Sequence, residues 1–115
     1  MTAADVGRDV GTVYRLGAVE QIPAGEGRAF IIGAEHVAVF RLRDGTLRAT
    51  QARCPHAGGP LADGQLDLTA IVCPLHARAF SFTDGRCPEG EVIAVHPAHE
   101  EDGEIVVEMI AAPVR

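Results

Sequence analysis

Two cysteine–histidine pairs constrain this chain more than anything else in it: Cys54-Pro55-His56 and Cys73-Pro74-Leu75-His76, with sixteen residues between them. Two soft thiolates and two imidazoles at such spacing can converge only if each pair sits on a tight loop and the two loops meet in space. Four donors of that mixture suit a single tetrahedral zinc, or a [2Fe–2S] cluster with both thiolates on one iron and both imidazoles on the other. A cysteine nucleophile with a histidine base fits less well, because the pairing occurs twice on adjacent positions.

The residues around the donors favour the larger cofactor. Pro55 and Pro74 each follow a cysteine directly and fix φ, so the loops need little ordering when a cofactor arrives. Gly58 and Gly59 carry no side chain, and their N–H groups are expected to approach the bridging sulfides closely. A lone zinc ion has no need of that approach.

The rest of the chain reads as short strands and tight turns. Strands are expected at Val13–Leu16, Ala29–Ile32, His36–Leu42, Leu47–Gln51, Ala70–Val72, Ala79–Phe82, Val92–Val95 and Ile105–Met109, eight or nine in all. Gly25 and Gly27 are expected in a loop turn, since Phe30 replaces the third glycine of a dinucleotide motif. Asp44-Gly45 reads as a two-residue hairpin turn and Asp84-Gly85 as a further turn. No helical period exceeds about two turns. The expectation is all-β: an antiparallel sandwich or small barrel, with the two ligand loops at one tip. One domain is expected over 12–110, between a loose leader at 1–11 and a tail at 111–115.

At the ligand pairs the chain resembles the Rieske [2Fe–2S] family, whose signature is C-x-H, fifteen to seventeen residues, then C-x-x-H. The likeness extends through CPHAGGPLADG, IVCPLH, Phe80 and Asp84-Gly85 to the soluble ferredoxin branch, and covers roughly 13–107. That branch includes ferredoxins of ring-hydroxylating oxygenases and small subunits of NAD(P)H-dependent nitrite reductases. The resemblance implies that Cys54 and Cys73 hold one iron and His56 and His76 the other. It also implies that the histidines bind through Nδ1, and that Pro88 lies in a loop covering the cluster. Gly59 and Leu75 stand where the respiratory members carry a disulfide, and Arg78 and Phe80 where those members place serine and tyrosine hydroxyls. Fewer hydrogen bonds to sulfur imply a reduction potential near the lower end of the Rieske range, about −150 mV.

Composition bounds the partners. A net charge of −6 disfavours nucleic acid and anionic membranes. No apolar run reaches membrane-spanning length, and 1–11 lacks an apolar signal core, so a cytoplasmic location is expected. Arg41, Arg43, Arg48 and Arg53 precede the first ligand loop, whereas 84–108 hold eight acids against Arg86 alone. Such segregation reads first as solvated strand faces, and second as a surface that orients a partner. Cys87 is expected to be a bystander thiol, and His36, His96 and His99 plain surface histidines. With no nicotinamide, flavin or mononuclear-iron motif, the expected role is that of a one-electron component. A flavoprotein or other reductase would donate, and a terminal oxygenase or nitrite reductase large subunit would accept. A zinc-stabilised interaction module is the remaining alternative.

Overall fold

The computed structural model describes residues 12–55, 58–75 and 78–109. The leader expected at 1–11 and the tail expected at 111–115 lie outside the described residues. Ten strands form in the order β1 (Thr12–Ala18), β2 (Glu26–Ile32), β3 (Glu35–Arg41), β4 (Leu47–Gln51), β5 (Gln65–Leu66), β6 (Ala70–Val72), β7 (Ala79–Ser81), β8 (Val95–His96), β9 (Ala98–Glu101) and β10 (Glu104–Met109). Single 3-10 turns at Val19–Gln21 and Leu61–Asp63 are the helical elements among the described residues. None is long and apolar enough to cross a membrane.

Three antiparallel sheets result, in the orders β1-β10-β9, β2-β3-β4-β8 and β5-β6-β7. The middle sheet is a wall between two cores, and β3 shows why. Val37, Ala38, Val39 and Phe40 are all buried, which gives β3 a continuous apolar run instead of an alternating one. Val37 and Val39 join Ile32, Leu47, Ala49, Ile105 and Val107 on one side. Ala38 and Phe40 join Leu61, Ile71, Phe80, Phe82, Ile93 and the three cysteines on the other. Phe40 and Phe82 meet there at 5.4 Å between centroids, an aromatic contact that adds to the area they bury.

Four local expectations change. The β3–β4 connection is a three-residue loop: Gly45 N–H donates to Leu42 O at 2.9 Å and Leu42 N–H to Thr46 O at 2.8 Å. A two-residue type I′ turn needs positive φ at both central residues, but Asp44 is not among the positive-φ residues and Gly45 alone has one, 91°. Asp44 instead accepts the Thr46 N–H, which holds its carboxyl below the usual range. Gly27 lies inside β2, not in a turn, because a Cβ there would stand 2.6 Å from the Phe40 ring. Val92–Val95 is not one strand; Val92 forms an isolated bridge to Arg86, and β8 starts at Val95. Two strands are unexpected, β5, which pairs with β6, and β9, which pairs with β10 through Glu104↔Glu101, and together they bring the count to ten.

Candidate metal centre

Both cysteines occupy the same structural position, one residue beyond a pair of strands. The first hairpin continues past β4 through an Arg53↔Pro60 bridge and a bond from Leu61 N–H to Ala52 O at 2.9 Å. Cys54 N–H then donates to Gly59 O at 2.9 Å. In the second hairpin Val72 pairs with Ala79, and Cys73 N–H donates to Arg78 O at 2.8 Å. Each loop is thus closed by a bond from the cysteine to the carbonyl five residues on. Short, backbone-closed loops hold their thiols with little freedom.

The two loops touch. A Cβ on Gly59 would fall 3.1 Å from Cys73 Sγ and 2.9 Å from Leu75 Cγ, so only glycine lets the first loop lie this close to the second cysteine. Cys54 and Cys73 are each 1% exposed and share one apolar cluster. No disulfide joins any cysteine. The structure therefore brings the expected thiol half of the ligand set together, whereas His56 and His76 lie outside the described residues. Among the described residues alone no group of three or more metal-binding side chains assembles.

Gly58 differs from expectation. Its N–H donates to Cys54 O at 2.7 Å and closes the loop, so it is engaged within the backbone and is not turned to a cofactor. Pro55, Pro74 and Leu75 are exposed, and the loop noses therefore reach the surface while the thiols stay beneath. A shallow groove of about 410 Å³ runs beside the second loop, lined by Asp63, Gly64, Gln65, Val72, Cys73, Pro74 and Leu75.

A third segment backs the site. Arg86 bridges Val92, Cys87 N–H donates to Glu91 O at 3.1 Å, and Gly90 N–H donates to Cys87 O at 3.0 Å. Cys87 is 7% exposed and packs in the same apolar cluster as Cys54 and Cys73. Pro88 of that segment is exposed. Sequence reasoning missed three supporting residues here. The Gln51 side-chain amide spans Arg53 O at 2.7 Å and Ala94 N–H at 2.8 Å, which ties the first loop to the strand approach at Ala94. Arg78 reaches Glu91 at 2.9 Å and Glu89 at 3.8 Å. A glutamine at the end of a half-buried strand carries no signal of such a role, and the acids lie more than ten residues beyond the arginine.

Buried thiols on two contacting loops, with a glycine cradle against one sulfur, suit a thiolate-bound cofactor inserted between the loops. The model of the Rieske [2Fe-2S] domain matches residues 12–100. The chain belongs to the Rieske [2Fe–2S] family. The domain carries a Rieske-type [2Fe–2S] cluster and serves in electron transfer. The Rieske chain is 31% identical over 97 residues to the anthranilate 1,2-dioxygenase ferredoxin subunit of Burkholderia cepacia, which covers 82% of this chain and 89% of that protein. Its fold is similar to that of a Mycobacterium tuberculosis protein described as an NADH-dependent nitrite reductase small subunit. There the TM-score is 0.81 at 25% identity, with 90% of this chain and 99% of that one covered. It is also similar to the ferredoxin of carbazole 1,9a-dioxygenase from Nocardioides aromaticivorans, with a TM-score of 0.74 at 26% identity over 84% and 97% of the two chains.

Proposed function

We propose that this Rieske protein is a ferredoxin that carries single electrons from a flavoprotein reductase to a terminal oxygenase. Cys54 and Cys73 hold one iron, and His56 and His76 the other. The observation that carries this reading is the pair of buried thiols on twin, touching loops, in a chain that spans 89% of a dioxygenase ferredoxin subunit. The cluster, when bound, supplies one reversible electron at a potential of about −150 mV. The protein's own residues do the remaining work. Gly59 lets the loops close, Gln51 and Arg78 brace them, and Phe80, Ile71 and Leu61 keep water from the sulfurs. The exposed tips at Pro55, Pro74 and Leu75 form the contact surface for the partner.

Domain 12–110 is the electron-transfer unit, with 1–11 a leader and 111–115 a tail, and the protein works in the cytoplasm. It is a component of an oxidoreductase system, not a complete enzyme. A second reading, the small subunit of an NAD(P)H-dependent nitrite reductase, is favoured by the 0.81 TM-score and 99% coverage of the mycobacterial protein.

Visible and low-temperature EPR spectra of the purified protein, before and after dithionite, test the cofactor. A reduced signal with average g of about 1.9 is expected of Rieske ligation; a colourless protein with one stoichiometric zinc overturns the reading. Stoichiometric copurification with a sirohaem-containing large subunit would assign the second reading over the first.

A further inference from the structure

The second ligand loop is braced differently from the first. The first is held by backbone ladder bonds, by Gln51, and by Arg53, whose Nη1 donates to Gly58 O at 3.0 Å. The second, closed by the same kind of backbone bond, is braced further by an ion-pair bridge. Arg78 supplies the carbonyl that accepts the Cys73 N–H, so its backbone is fixed directly to a ligand cysteine. Its guanidinium reaches Glu91 at 2.9 Å and Glu89 at 3.8 Å. Glu91 in turn lies 3.6 Å from Cys87 Sγ, close enough for the thiol to donate weakly to the carboxylate. The chain Cys73–Arg78–Glu91–Cys87 therefore ties the second ligand loop to the segment that backs the site.

Two properties make this bridge more than a surface ion pair. Only 21% of the Arg78 side chain is exposed, and Glu91 is 32% exposed, so solvent screens their charges incompletely. An arginine keeps its charge at every working pH, so the cation at the base of the loop is permanent. A cluster held by this loop would gain one negative charge on reduction. Arg78 favours the reduced state, and the two carboxylates that neutralise it oppose that preference.

We propose that the Arg78–Glu91–Glu89 bridge positions the second ligand loop and sets the reduction potential by charge masking. This inference rests on the Rieske reading above. Losing Glu91 unmasks the arginine and raises the potential. Losing Arg78 leaves two carboxylates uncompensated and lowers it. Glu89, at the longer distance, has the smaller effect in the same direction as Glu91. A bridge that only braces the loop behaves otherwise: either loss loosens the same segment, and both move the potential the same way.

The test is spectroelectrochemical titration of the cluster-loaded protein as Glu91→Gln, Glu89→Gln, Arg78→Gln and Arg78→Lys, at one pH and two salt concentrations. At the wild-type midpoint, Glu91→Gln should raise the reduced-to-oxidised ratio, and Arg78→Gln should lower it, each by about threefold, the size of one partly screened charge. Arg78→Lys should stay close to wild type, and every shift should shrink as salt rises. Amide exchange at Cys87 and Gly90 should quicken in both glutamine variants at positions 78 and 91. Shifts of equal sign at those positions, or none with the Rieske EPR signal intact, overturn the inference. Absence of that signal from the wild-type protein overturns the functional reading itself.

Discussion

The two faces of the β2-β3-β4-β8 sheet carry cores of different kinds. One face packs Val37, Val39, Leu47, Ala49, Ile105 and Val107 against the β1-β10-β9 sheet, and all of them are aliphatic. The other packs Phe40, Phe80, Phe82 and Ile71 around three cysteines, against strands of two or three residues in β5, β6 and β7. Strands so short supply few ladder bonds, and a sheet of them is marginal without further support. The difference teaches where the cofactor's binding energy acts. The scaffold side holds itself together by burial, whereas the site side, with its short strands, is the part that a bound cluster would complete.

The largest expected effect follows from removing the iron. In apo protein, amide exchange at Cys54, Cys73 and Leu61 should quicken by about a hundredfold, while β1, β10 and the scaffold-facing part of β3 quicken by less than about threefold. Exchange measured residue by residue by NMR decides this. Uniform quickening across both faces would break the comparison and make the whole domain one cooperative unit.

Next in size is a pair of glycine substitutions. At Gly64, leading into β5, a Cβ would stand 2.0 Å from Val72 O, a backbone atom that cannot yield. Gly64→Ala should therefore cost at least about 3 kcal/mol and lower the yield of cluster-loaded protein. Gly33, in the β2–β3 turn, has a φ of 62° but no atom near its Cβ position, so Gly33→Ala should cost about 1 kcal/mol and leave cluster content intact. Denaturant titrations with iron analysis on both variants give the comparison; equal costs would mean that the site side is no tighter than a scaffold turn.

This contrast also explains what the sequence revealed. The ligand spacing, the alternating strands and the hairpin glycines are local patterns, and they predicted an all-β fold with both thiols at neighbouring loops. Elements whose existence depends on a distant partner were not legible. β9 forms because Ala98–Glu101 finds β10, and no apolar alternation marks it. The short β8 before Pro97 gave no sign that His96 would be buried by pairing with Ala49. Gly58 lies in the loop that follows Cys54, and the use of its N–H in closing that loop is a property of the folded backbone.

His96 corrects the expectation of a surface histidine and supplies the next prediction. It is 6% exposed and shares a face with Ala49 through the β4–β8 register, on the scaffold side. Burial pushes its pKa below 6.5, and a weaker pull from the Glu35 carboxylate opposes this. The folded state therefore resists a proton that the unfolded chain accepts. Stability is complete above the ordinary pKa of 6.5, falls as pH drops from there through the lower folded value, and is flat below it. Subtracting the unfolding free energies of His96→Gln from those of the wild type, from pH 7.5 down to about 4.5, should isolate that slope. A difference independent of pH would mean that the imidazole is not desolvated.

The smallest effect belongs to the ion pair on the far side of the molecule. Arg15 on β1 reaches Glu101 at 2.6 Å and Glu104 at 2.9 Å, bracing the β1-β10-β9 sheet as Arg78 braces the second ligand loop. The chemistry is the same, but all three side chains of this bridge are 45–52% exposed, against 21% for Arg78. Water and salt screen such pairs nearly completely, and the ordering of long side chains offsets what remains. Arg15→Gln should therefore leave the melting temperature, the cluster content and the reduction potential at wild-type values. Arg78→Gln removes the same formal charge and should lower the potential. Measuring both variants in one buffer separates position from net charge: equal shifts would mean that the potential follows the total charge of the chain, whereas a shift in Arg78→Gln alone places control in the half-buried bridge beside Cys73.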